Sequence, residues 1–206
     1  MASRRTLENV ASEINRRTFV GASITVSGAV AAASIAAGCE SDTKTDAPPA
    51  EGQTTRVHLR INGEEKDVDV DTRTSMLDML RERVGLTGTK KGCDQGACGA
   101  CTILLDGKRV NSCLTLAVMH DGAEVQTIEG VADHGRLHPL QQSFIDTDAF
   151  QCGYCTSGQI MSGLGCIAEG HTGSPEEIRE WMSGNICRCG AYTNIVAAVA
   201  SAAKEA

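Results

Sequence analysis

The chain has 206 residues, which suits one or two compact domains and not a large enzyme. Acidic residues outnumber basic ones 26 to 19, the formal net charge is −7, and no Lys/Arg stripe is present, which argues against a nucleic-acid partner. Aromatics make up 3%, so any core is mostly aliphatic, and 10 cysteines in this length demand disulfides, metal or clusters.

Residues 1–38 read as an export signal rather than as part of the fold. Arg16-Arg17 precede an uncharged run in "NRRTFVGASITVSGAVAAASIAAGC". A basic pair before a modestly apolar stretch rich in Ala, Ser and Gly is the pattern of a twin-arginine signal. The run is long enough to span a bilayer, but its many Gly, Ser and Thr residues make it a weak anchor. The expected location is periplasmic. "SIAAGCES" loosely matches a lipoprotein box with Cys39 as the lipidated residue, although Ala36 stands where Leu is usual. Lipid anchoring at Cys39 and plain cleavage are both open. Residues 39–54 are polar and proline-bearing and read as a disordered linker.

Patterned sequence follows. "RVHLRI" and "EKDVDV" alternate around Asn62-Gly63, a hairpin signal. Residues 75–84 predict a short helix with Met76, Leu77, Leu80 and Val84 at helical spacing. "CTILLDGKRVNSC" predicts a second hairpin around Asp106-Gly107, and "AEVQTI" a fifth strand. Residues 55–130 therefore read as a small α+β domain of the β-grasp kind. Residues 131–206 read as four short helices: one after Pro139, one over 156–167, one starting at Ser174-Pro175 with Glu177 completing a capping box, and an alanine-rich one over 194–204.

Eight cysteines fall into two sets. Cys93, Cys98, Cys101 and Cys113 are spaced C-x4-C-x2-C-x11-C in a glycine-rich loop, which is plant-type [2Fe–2S] spacing. Gly92, Gly96 and Gly99 would let backbone N–H groups turn toward anionic sulfur, with Lys90 and Lys91 adding positive potential. Disulfides and a tetrahedral zinc site are the alternatives. Cys152, Cys155, Cys187 and Cys189 form C-x2-C and C-x-C, where each motif would supply one iron of a second cluster. By itself C-x2-C is also common in zinc and redox sites. Cys166 falls on the apolar face of a helix and reads as a buried small hydrophobe. The five histidines form no set, and no phosphate loop or nucleophile–base pair is present.

"GCDQGACGACTILLDG", "FQCGYCTSGQIM" and "GNICRCGAYTNI" together resemble the small iron–sulfur subunit of the molybdenum hydroxylases, the xanthine dehydrogenase and aldehyde oxidase family. The match runs from about residue 55 to the C-terminus. The resemblance implies a plant-type ferredoxin domain followed by a four-helix domain, each with one [2Fe–2S] cluster. It implies a large partner subunit that holds molybdopterin and oxidises an aldehyde or N-heterocycle with oxygen from water. It places the cluster of Cys152, Cys155, Cys187 and Cys189 at electron entry, with Gln151 and the backbone of Cys189 near the pterin. The cluster of Cys93, Cys98, Cys101 and Cys113 then faces the acceptor, a FAD subunit or a cytochrome c. Ser157 departs from the family, which commonly has Pro there. A free-standing exported ferredoxin and a zinc- or disulfide-stapled scaffold are the competing functions.

Overall fold

The computed structural model describes residues 52–205. The expected signal segment, Cys39 and nearly all of the expected linker lie outside them.

Two hairpins supply most of the sheet. Strand β1 (Thr54–Ile61) pairs antiparallel with β2 (Glu64–Asp71), so the strand begins inside the stretch read as linker. Strand β3 (Thr102–Leu105) pairs antiparallel with β4 (Lys108–Asn111). Both turns have two residues at positive φ, Asn62 (51°) with Gly63 (83°) and Asp106 (48°) with Gly107 (76°). That conformation matches the twist of the flanking strands. The short β5 (Glu124–Gln126) lies between the hairpins, parallel to β1 and antiparallel to β3, giving the order β2-β1-β5-β3-β4.

The expected helix over 75–84 is present with a change of winding. Ser75 caps α1 (Met76–Asp78), and the chain then opens into a π-helical turn over Met79–Arg83, closed by the Val84 N–H on the Met79 carbonyl. The wider turn keeps Met79 in the core beside Met76, Leu77 and Leu80, while Val84 packs only at the margin. Met76, Met79 and Leu80 close over Val57, Leu59, Ile61, Ile103 and Val125 on one face of the sheet.

The helices are α2 (Pro139–Asp146), α3 (Thr156–Ala168), α4 (Pro175–Trp181) and α5 (Tyr192–Ala202). The last runs about two residues earlier than its apolar pattern predicts. Their core is Leu140, Phe144, Ile160, Ile178, Ile195 and Val199. All four residues of β3 are buried because α3 covers the strand's other face, with Leu104 meeting Met161 and Val131. The described residues therefore form one compact unit.

Two caps differ from expectation. Ser174 Oγ accepts the Glu177 N–H, but the Glu177 carboxylate turns to the Gly173 N–H (2.9 Å) and the His171 ring (3.1 Å), so the reciprocal half of the box is not made. A reciprocal box forms instead at α2. His138 Nδ1 accepts the Leu140 N–H (3.1 Å) and Gln141 Oε1 accepts the His138 N–H (2.9 Å). Burial pushes the His138 pKa below the usual range, which keeps the ring neutral and its lone pair available.

Candidate functional site

Cys93, Cys98 and Cys101 lie on the irregular loop between the 76–83 helical segment and β3, and Cys113 on the 3-10 turn Ser112–Leu114 after β4. Four backbone N–H groups donate to their sulfurs: Cys93 to Cys98 (3.4 Å), Gln95 and Ala97 to Cys93 (3.5 and 3.2 Å), and Gly96 to Cys113 (3.3 Å). The thiols meet as two pairs, Cys93 with Cys98 and Cys101 with Cys113. The Gln95 N–H leads in bringing Cys93 down to about 7, whereas burial pushes Cys113 up to about 11.

The glycines divide their work. A Cβ on Gly92 would sit 2.8 Å from Cys98 Sγ, and Gly96 (φ 73°) turns its N–H to Cys113. Gly99 serves another purpose than expected. A Cβ there would lie 2.5 Å from the Gly184 carbonyl oxygen and 2.6 Å from Asn185 Nδ2, so its bareness admits the helical half. The two lysines are also engaged locally. Lys91 Nζ pairs with Asp78 (2.8 Å) and Asp94 (3.2 Å), and Lys90 Nζ donates to the Thr87 carbonyl. The Lys91 charge is thus paired with carboxylates, while Lys90 keeps its charge but is held at a backbone carbonyl.

The second set meets at two helix junctions. Cys152 and Cys155 precede α3, and Cys187 and Cys189 lie between α4 and α5. The sequence expectation gave each motif its own pair; the structure crosses them. Cys152 meets Cys189, and Cys155 meets Cys187. The first thiol of each motif thus faces the last of the other. Cys155 is pushed up to about 12, foremost by burial. For Cys187, burial is outweighed by the Ala191 N–H (3.4 Å to Sγ) and further N–H donors, and its pKa falls. The N-termini of α3 and α5 add positive potential here. Cys152 and Cys189 are exposed, and so is Gln151, among the exposed Phe150, Tyr154, Ile186 and Tyr192.

This arrangement fits two-iron clusters. The nine described cysteines are free thiols. Among the described residues, no three His, Cys, Asp or Glu side chains converge on a point suited to a single metal ion. Two thiol pairs per set, with N–H groups aimed at sulfur, match the two thiolates each iron of a [2Fe–2S] cluster takes.

Among the described residues, hydrogen bonds join the first cysteine loop to both segments of the second set. Ile186 N–H donates to the Cys98 carbonyl (2.9 Å), Tyr154 Oη to the Lys91 carbonyl (2.7 Å), and Asn185 Nδ2 to the Gly99 carbonyl (2.9 Å). Asn185 is buried and also reaches the Gly158 carbonyl (3.1 Å) and Thr102 Oγ1 (3.2 Å). Gly158 is bare for the same reason as Gly99, since its Cβ would lie 2.3 Å from the Gly99 carbonyl oxygen. Asn185 and Tyr154 were not singled out from the sequence. The only signal was their place inside the cysteine motifs.

The remaining candidates are structural. Cys166 is fully buried and donates to the His171 carbonyl. His58 contacts Asp67 on the outer hairpin, and His171 stacks on Trp181. Ser157 Oγ is buried without a hydrogen-bond partner at the start of α3.

Comparison with known proteins agrees with this geometry. Residues 59–132 match the 2Fe-2S iron-sulfur cluster binding domain and 127–200 the [2Fe-2S] binding domain. The chain is 56% identical over 162 residues to the aldehyde oxidoreductase iron-sulfur-binding subunit PaoA of Escherichia coli K12, covering 71% of each. It is 44% identical over 154 residues to the nicotine 6-hydroxylase small subunit of Paenarthrobacter nicotinovorans, covering 75% of this chain and 93% of that one. Among solved structures, a chain of quinoline 2-oxidoreductase from Pseudomonas putida 86 superposes with TM-score 0.69 at 45% identity, over 74% of this chain and 98% of that one. The aldehyde oxidoreductase of Desulfovibrio desulfuricans gives TM-score 0.70 at 39% identity, with 73% of this chain matching 17% of a much longer one. With its ferredoxin-type and helical [2Fe–2S]-binding domains in this order, the chain belongs to the family of small iron–sulfur, electron-transfer subunits of the molybdenum hydroxylases, a class of oxidoreductases.

Proposed function

We propose that the eight cysteines hold two [2Fe–2S] clusters that work as a relay in an exported molybdenum-dependent hydroxylase or dehydrogenase. Electrons enter at the set of Cys152, Cys155, Cys187 and Cys189 from molybdopterin in a large partner subunit. They leave from the set of Cys93, Cys98, Cys101 and Cys113 to an external acceptor, a FAD subunit or a cytochrome c. Each cluster, when bound, supplies storage for one electron, so two in series divide the pair released by substrate oxidation.

The observation that carries this reading is the Ile186 N–H on the Cys98 carbonyl. Ile186 is bonded directly to Cys187, so one hydrogen bond and a short run of backbone link a candidate ligand of each set. The chain's own residues contribute position and environment. The N–H groups of Cys93, Gln95, Gly96 and Ala97 favour the ionised sulfurs of the first set. Asn185, buried at the join, ties the Gly99 and Gly158 carbonyls together. The exposed rim of Phe150, Tyr154, Ile186 and Tyr192 around Gln151, Cys152 and Cys189 supports docking on the large subunit at that end, with Gln151 and the Cys189 backbone beside the pterin. An aldehyde or N-heterocyclic substrate is supported by the names of the relatives.

Iron and molybdenum content of the tagged chain, purified gently from its host's periplasm, tests the reading. About four irons per chain, with molybdenum and a large chain co-purifying, is the expected result. Four irons without a large chain would replace the relay subunit by a free-standing carrier. Export is tested separately: changing Arg16-Arg17 to Lys-Lys is expected to retain the complex in the cytoplasm.

A further inference from the structure

Arg109 starts on β4 and ends in the helical half. Its side chain is only 15% exposed and its guanidinium makes a two-pronged pair with Glu169, with Nε 3.0 Å from Oε1 and Nη2 on Oε2. Nη1 donates to the Trp181 carbonyl (2.9 Å) and to Ser162 Oγ (3.3 Å). The receivers come from two helices: Ser162 within α3, Glu169 at its C-cap, and Trp181 at the end of α4. Gly165 provides the room, because a Cβ there would lie 2.2 Å from Arg109 Cγ and 2.4 Å from Cδ. The socket wall is itself braced. The Trp181 ring stacks on His171 at 3.5 Å, with Arg109 Cζ 5.6 Å from the Trp181 ring centroid, and the His171 ring bonds to Glu177. The planar guanidinium fixes direction as well as distance, which a lysine ammonium does not.

We propose that Arg109 is a positioning residue for electron transfer. Seated in the socket of Glu169, Ser162 and Trp181, it holds the sheet and the helices in the orientation that keeps Ile186 N–H on the Cys98 carbonyl, and so sets the coupling between the two cysteine sets. Asn185 fixes the join at the cysteine loops, and Arg109 fixes it at the far end of α3, where no cysteine of either set lies. Two fixed points along one helix prevent the halves from pivoting. The proposal rests on the relay reading.

The test uses the full chain, loaded with clusters and in its complex. Iron content, the paramagnetic resonance spectrum of each reduced cluster, the magnetic interaction between the two, and the rate at which substrate electrons reach the first-set cluster are measured together. Arg109→Gln is expected to leave iron content and each cluster's own spectrum unchanged, to weaken the magnetic interaction, and to slow transfer about tenfold. Gly165→Ala should do the same from the opposite side, and Arg109→Lys should restore little. Wild-type interaction and rate in both Arg109→Gln and Gly165→Ala would overturn the proposal. If Arg109→Gln fails to take up iron, Gly165→Ala decides alone, since its methyl removes no donor and favours helix. Failure of substrate electrons to reach the first-set cluster in the wild-type complex would instead overturn the relay reading, and this proposal with it.

Discussion

The loop over 90–101 with the turn at Cys113, and the two helix junctions at 152–155 and 187–189 taken together, each gather four thiols, by different routes. The first set is nearly local: three of its cysteines share one loop, and backbone N–H groups of that same loop turn onto the sulfurs. The second set depends on helices. Its thiols pair crosswise between two distant segments, and they meet only because α3, α4 and α5 pack around Ile160, Ile178 and Ile195. A loop-built site carries its own electrostatics. A junction-built site borrows its geometry from the surrounding core and leaves two thiols exposed at the protein's edge. The contrast suits a relay, in which the centre that receives electrons is exposed at a rim and the one that passes them on is built into its own loop.

The sharpest way to separate the two sets is Cys187→Ser. Iron is expected to fall from about four to about two per chain, and substrate should no longer reduce the remaining cluster, which stays reducible by a chemical donor. Complete loss of iron would mean that the two sites are not independently built. Gly158→Ala comes next, because the added methyl meets the Gly99 backbone rather than a yielding side chain. It is expected to lower stability by about 1–3 kcal/mol and to slow transfer between the sets, read by denaturant unfolding and rapid-mixing spectroscopy. Asn185→Ala removes the Nδ2 donor shared by the Gly99 and Gly158 carbonyls and Thr102 Oγ1, although the Gly99 carbonyl keeps its bonds from Thr102. A loss of about 1–3 kcal/mol is expected, with both clusters still loaded.

Tyr154→Phe removes one exposed link between the loops and should cost about 1 kcal/mol or less, with spectra unchanged. The smallest effect is confined to the helical half and depends on pH. The folded-state pKa of His138 is depressed, so its cap stabilises α2 at pH above the unfolded value of about 6.5, and that stability is lost as pH falls toward and through the folded value. Faster amide exchange at Leu140 as the pH is lowered, after correction for intrinsic rates and worth about 1 kcal/mol, would show it. In the ferredoxin half the sign is opposite, because the Asp67 carboxylate raises the His58 pKa, so that pairing strengthens as the pH is lowered toward 6.5.

Much of this was legible from local sequence. Asn62-Gly63 and Asp106-Gly107 specify their hairpins because only residues tolerant of positive φ close such turns. Ser174-Pro175 starts a helix through its own cap. The x4-x2 cysteine spacing defines a loop site because the chain between the thiols is too short to place them elsewhere. The π turn at Met79–Arg83 was not legible, since burial of Met79 against the sheet selects it.

The sequence by itself determined two cysteine sets, two hairpins, four helices, and a family whose members are small iron–sulfur subunits. Only the tertiary structure decided which thiol faces which, and why glycines stand inside the well-formed helix α3. By helix propensity Gly158 and Gly165 are flaws. In the folded protein they are the notches that admit the Gly99 carbonyl and the Arg109 side chain. The physical reason is the same for both: short-range conformational preference is written along the chain, whereas the fit of one surface against another depends on atoms that become neighbours only after folding.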